Sequence, residues 1–111
     1  MTVKKPGLVI AATFEMAPRD REKTIELSRQ VVAETRKEKG CLFYSFANDI
    51  LDENVFRIAE GWTDEAALNA HLASKHIATF LAEIGRLNML SIEAIRYNVA
   101  DMIDMMAPQN G

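Results

Sequence analysis

Apolar residues crowd positions 8–16, where Leu8, Val9, Ile10, Ala11, Ala12, Phe14 and Met16 run with little interruption between Pro6-Gly7 and Pro18. A run of that length bounded by turn formers predicts a largely buried strand. Residues 20–39 change to a helical period. Ile25, Leu27, Val31 and Val32 share one arc, with Thr24, Ser28 and Thr35 at its middle and Glu22, Glu26, Arg29, Arg36 and Lys37 opposite. Gly40 follows, where a left-handed cap is wanted. The small hydroxyl residues on the apolar arc have two readings: close approach of helix to sheet, or room for a ligand.

Residues 42–48 and 54–62 alternate as strands, and the short polar connection between them predicts a hairpin. A turn centred near Leu51 sets Phe46 opposite Phe56, Tyr44 opposite Ile58 and Leu42 opposite Glu60. By parity, Leu42, Tyr44, Phe46, Phe56, Ile58, Glu60 and Trp62 then share one face. Phe43, Ser45, Ala47, Val55, Arg57, Ala59 and Gly61 share the other. Thr63 reads as a helix cap, with Asp64 and Glu65 in a first turn that favours anions. That helix runs to residue 72 with Leu68, His71 and Leu72 on one face. Ser74 caps a second helix reaching Ile84, its inner face made by Ile77, Phe80, Leu81 and Ile84. Residues 89–99 form the last strand. Arg96 and Tyr97 have opposite parity, so only one can face the helices.

The element order is βαββαβ with the second helix in two pieces, an α+β, ferredoxin-like pattern with an antiparallel sheet. The chain reads as one domain over residues 1–111, with a core at 8–100 and a methionine-rich tail at 101–111. Helices cover one sheet face. The strands are apolar on the other face too, and an uncovered apolar face of this size predicts a homodimer that pairs two sheets about a two-fold axis. Arg57 on that face is expected to make a salt bridge across the interface.

Hydrophobic residues make up 49% and charged residues 26%, an ordinary globular balance, and the net charge is -3. No basic stripe is present, so no nucleic-acid partner is expected. No apolar run approaches the ~18 residues of a membrane helix, and the N-terminus does not read as a signal peptide, so no membrane is expected. Cys41 is the one cysteine and cannot pair internally, which suits a reducing cytoplasm. It follows a helix C-terminus, where the dipole disfavours a thiolate, so it reads as a small buried apolar residue.

The usual catalytic signatures are absent: no phosphate-cradling glycine loop, no GxSxG, no CxxC, no HExxH. His71 and His76 stand five apart across a helix break, a poor start for a metal site, so no metal is expected. Tyr44, Glu60, Trp62 and His71 instead project into one layer between the sheet and the split helix. A carboxylate and an imidazole buried there need partners. One reading is a structural Glu60–His71 pair with Trp62 filling the core. The other is a mostly apolar pocket with convergent polar groups, in which His71 takes a proton, Glu60 orients it, and Trp62, Tyr44, Phe46, Leu68 and Phe80 wall a flat aromatic substrate. His76 is placed at the mouth or in solvent.

The string Gly40-Cys41-Leu42 with Tyr44, then Phe56, Glu60-Gly61-Trp62, then Ala67-Leu68, His71, His76 and Phe80 resembles the antibiotic biosynthesis monooxygenase family, in particular its small bacterial quinol monooxygenases. The resemblance covers residues 8–99. It implies a dimeric α+β barrel and insertion of oxygen from O2 into quinols or anthrones with no cofactor. The substrate is then the reductant, and the protein removes a proton and excludes water. Trp62 carries over, and His71 and Glu60 match the quinol-type pattern. The aromatic-polyketide branch has asparagine four residues before the tryptophan and tyrosine six after it. Here those positions are Ile58 and Leu68, so those two roles do not carry over. The family also holds an isomerase of a phosphorylated signalling sugar and proteins without known turnover.

Overall fold

The structure is a computed structural model and describes residues 3–108. Strand β1 (Leu8–Met16) leads through a single 3-10 turn at Pro18–Asp20 into helix α1 (Arg21–Thr35). Strands β2 (Cys41–Asn48) and β3 (Val55–Trp62) form the hairpin, followed by α2 (Glu65–Leu72), α3 (Lys75–Ile84) and β4 (Met89–Asn98). The sheet is antiparallel with order β2-β3-β1-β4, the split βαβ arrangement expected from the sequence.

Alternation decides what is buried. Leu8, Ala12, Phe14 and Met16 of β1 point under the helices, where Phe14 stacks on Phe56 with centroids 5.0 Å apart. The hydroxyl residues of α1 are buried as well, and two of them bond back to their own helix: Thr24 Oγ1 donates to Asp20 O at 2.8 Å and Ser28 Oγ to Thr24 O at 2.7 Å. That satisfies them without a ligand and lets the helix sit close to the sheet. The opposite sheet face is open, and Phe43, Ile95 and Tyr97 are exposed on it. Arg57 lies on this face as expected, but it is held within the chain by Asp49 at 2.8 Å and Thr13 at 3.0 Å.

Four local expectations are corrected. The hairpin register is shifted by two residues: Tyr44 faces Glu60 and Phe46 faces Ile58. The cause is turn chemistry. Asp49 accepts from Leu51 N and Asp52 from Asn54 N, and these two Asx turns move the centre of the connection one residue along. A bulge at the start of β2 also pairs Cys41 with Trp62 and Phe43 with Gly61, setting Leu42 out of alternation. It lines a cavity with Phe43 and Val9 rather than joining Tyr44. Helix α1 stops at Thr35, four residues early, although residues 36–39 are good helix formers. Tertiary contacts win: Arg36 Nε donates to Tyr44 O at 2.8 Å, and Glu38 turns inward. Finally, Asp64 rather than Thr63 caps α2, accepting from Ala67 N at 2.8 Å.

Gly40 is the hinge of this corner. Its φ is +85°, and a Cβ there would lie 2.6 Å from Ala67 Cβ and 2.7 Å from Thr63 Oγ1. Its carbonyl accepts from Thr63 N at 2.9 Å, locking the start of β2 against α2. Gly40→Ala is expected to lose at least ~1–2 kcal/mol from the backbone alone, and more from the overlap. Urea unfolding checks this, and an unchanged midpoint would contradict it.

Candidate active site

Two helix positions converge on one carboxylate. Glu38, in the turn after α1, accepts from His71 Nδ1 at 2.6 Å and lies 2.8 Å from His76 Nε2, both contacts made by the same oxygen, Oε2. His71 is the next-to-last residue of α2 and His76 the second of α3. The break between the helices makes their meeting possible. Ser74 caps α3 and also donates its hydroxyl to His71 O at 2.6 Å, turning the chain so that rings five residues apart aim at one point.

His71 is almost wholly buried, with 1% of its surface exposed, while His76 is partly exposed. The His71 ring is wedged between Trp62 (centroids 4.8 Å apart) and Tyr44 (5.3 Å). Phe46 and Phe80 continue the aromatic layer edge to face, and Leu68 is buried beside it. The layer predicted as a hollow is therefore packed with rings. The open space lies one step outward. A groove of about 700 Å³ between α1 and α3 is lined by Leu27, Val31, Phe80 and His76, with Arg29 and Lys75 also on its walls. His76 is the mouth residue the sequence suggested.

The partnership assigned to Glu60 is also corrected. Glu60 accepts from Trp62 Nε1 at 3.0 Å, and the residue that holds His71 Nδ1 is Glu38. Sequence reasoning missed Glu38 because it counted residues 36–39 as helix, where the charge would face solvent. Gly40 was already read as the cap of that helix, and no local feature marks its end at Thr35. Arg96, not Tyr97, is on the helix side of β4, and it pairs with Glu65 at 3.2 Å. Arg57, Arg86 and Arg96 line no part of the α1–α3 groove.

Burial dominates the electrostatics. It pushes the Tyr44 phenol far up, with the Glu60 carboxylate adding to it, so Tyr44 stays neutral. The Thr35 hydroxyl beside it is buried without a hydrogen-bond partner of good geometry. Burial likewise raises the Cys41 thiol, helped by Glu38 and Glu60, which agrees with its reading as an unreactive residue.

Residues 7–83 match the model of the antibiotic biosynthesis monooxygenase (ABM) family. The chain belongs to the ABM family. It is 30% identical over 94 residues to "Uncharacterized protein sll1783" of Synechocystis, an alignment covering 85% of this chain but only 64% of that protein. The chain thus spans less than two thirds of that relative. It is 27% identical over 94 residues to "Putative monooxygenase YcnE" of Bacillus subtilis, covering 85% of this chain and 99% of that one. The crystal structure of a Deinococcus radiodurans protein described as "putative antibiotic biosynthesis monooxygenase" superposes with a TM-score of 0.83 at 23% identity, covering 90% and 99% of the two chains. That likeness confirms the ABM fold. Among the described residues no helix is long and apolar enough to cross a membrane.

In this ABM chain the Glu60 carboxyl gives a pH test. Burial raises it, against the pull of the Trp62 N–H and His71, while Glu38 pushes it further up. The native state therefore holds a proton that the unfolded chain has released. Stability falls as pH climbs from the ordinary carboxylate pKa, about 4.3, through the raised native value, and stays lower above it. Glu60→Gln keeps an acceptor for Trp62 Nε1 and removes the ionisation. The variant is expected to melt higher than the parent at pH 7.5 and to have no such advantage at pH 4. An equal difference at both pH values would contradict the assignment.

Proposed function

We infer that this ABM domain is a monooxygenase that oxidises a quinol- or anthrone-like aromatic with O2, without a metal or organic cofactor, and that it works as a homodimer. The observation that carries this reading is the Glu38–His71–His76 network, set against the Trp62 and Tyr44 rings at the inner end of an apolar groove. The substrate ring lies against Phe80 and Val31, with its acidic hydrogen at His76. The proton passes to His76, and Glu38, fixed by the His71 N–H, balances the charge that forms there. The substrate anion gives one electron to O2, and the radical pair joins at carbon. The peroxide takes the proton back from His76 and loses water, so one oxygen atom stays in the product and the other leaves as water. Both electrons come from the substrate. Phe46, Leu68 and the neutral Tyr44 keep water from the network. The exposed Phe43, Ile95 and Tyr97 on the open sheet face supply the two-fold contact. A cytoplasmic setting suits the single unpaired Cys41.

The test is oxygen uptake by metal-stripped protein with a panel of reduced quinones and anthrones. Uptake above autoxidation, with one atom of 18O in the product, supports the reading. No oxidation across the panel overturns it. A second reading rests on Arg29 and Lys75, which line the groove and suit a phosphorylated substrate. It predicts isomerisation of a sugar phosphate with no oxygen consumed.

A further inference from the structure

We propose that Glu38, His71 and His76 form a binding site for a single divalent late-first-row ion, Zn2+ above all. Each residue offers one ligand atom, and the three atoms lie within 4.8 Å of one another. Two imidazoles and a carboxylate, with a fourth position open, make a donor set suited to zinc. The sequence argument against a metal weighed only the spacing of the two histidines. The fold supplies the missing carboxylate from 33 residues before His71.

The carboxylate is unevenly used. Oε2 takes both imidazole contacts, at 2.6 and 2.8 Å, while no hydrogen bond to Oε1 occurs among the described residues. Arms of about 2.0–2.2 Å around a tetrahedral ion put neighbouring ligand atoms roughly 3.3 Å apart. The two present contacts must therefore open by about 0.5–0.7 Å, and the two imidazole nitrogens, which lie within 4.8 Å of each other, must come to about that same spacing. His71 is locked by Trp62 and Tyr44, but the side chain of His76 is 23% exposed and that of Glu38 15%, so these two can make the adjustment. The Glu60 carboxylate close to His71 adds a favourable field for a cation. His76 lines the α1–α3 groove, whose walls carry Arg29, Lys75 and Glu34, so water can reach the site from that side as fourth ligand.

The ion takes the nitrogens that the oxygenase reading needs free, so it enters no step of that reaction. The test is titration of EDTA-stripped protein with Zn2+ by calorimetry and with Co2+ by visible absorption. One ion per chain, intense low-coordinate Co2+ bands and no response to Mg2+ are expected. His76→Gln should weaken Zn2+ binding at least tenfold, and Glu38→Gln should do the same, while the far-UV spectrum of each variant confirms folding. Absence of a Co2+ band, or Zn2+ binding undiminished in folded His76→Gln, overturns the site. Because none of these readouts is turnover, failure of the oxygenase assay leaves the metal result standing, and the reverse also holds.

Discussion

Trp62→Ala is expected to remove ~3–5 kcal/mol of folding stability, the largest loss from any single truncation in the sheet–helix layer. Trp62 has no exposed surface. It joins three elements at once: its ring lies against His71 of α2 and Tyr44 of β2, and its own strand is central to the sheet. Truncation opens a cavity between rings that are held edge to face and cannot collapse without leaving that geometry. It also strips the buried Glu60 of its N–H donor, which leaves an uncompensated polar group. Trp62→Phe separates the two effects. It keeps most of the volume and loses only the N–H, so ~1–3 kcal/mol is expected. A domain of this size is stable by about 5–15 kcal/mol, so the alanine variant stands near the edge of folding. Urea unfolding at two protein concentrations measures both variants and shows whether association contributes. A Trp62→Ala loss under 1 kcal/mol would mean the layer repacks freely and is no rigid platform for chemistry.

The fold was legible because parity and period are local properties. The bounds of β1 were read without error, and the face assignments of Tyr44, Glu60 and Trp62 survived a two-residue register shift, since a shift of two preserves parity. The errors arose where a distant contact overrules a local preference. Residues 36–39 read as helix because arginine, lysine and glutamate favour one. They leave the helix because Glu38 gains two imidazole partners 33 and 38 positions later. No window around residue 38 contains that information. The pairing of His71 with Glu60 failed for the same reason: both were correctly placed in one layer, but a layer does not specify which acceptor is nearer. Thus the layer's composition was readable and its connections were not. The hollow expected there is filled because Tyr44, Trp62 and His71 pack on one another, and groove and network meet at His76 instead.

His71→Gln is expected to lower the rate of aromatic oxidation by ~10²–10⁴-fold, the range a positioned proton acceptor supplies, with kcat falling and KM nearly unchanged. The split matters because His71 is buried behind Glu38 and lines no part of the groove, so it positions Glu38 rather than the substrate. A merely structural histidine would lower the amount of folded protein and leave kcat per folded molecule alone. Glu38→Gln is expected to fall in the same range. A neutral amide can hold an imidazole but cannot balance the charge of an imidazolium at His76. Because the three groups act as one unit, the double variant Glu38→Gln/His71→Gln should be little slower than either single one. Multiplied losses in the double variant would mean the two residues act independently and that the short Oε2 contacts are packing only. His76→Gln adds the last discrimination: as the groove-facing member of the unit it should raise KM as well as lower kcat. An effect confined to His76, with His71 silent, would leave the ring-walled imidazole a structural wedge.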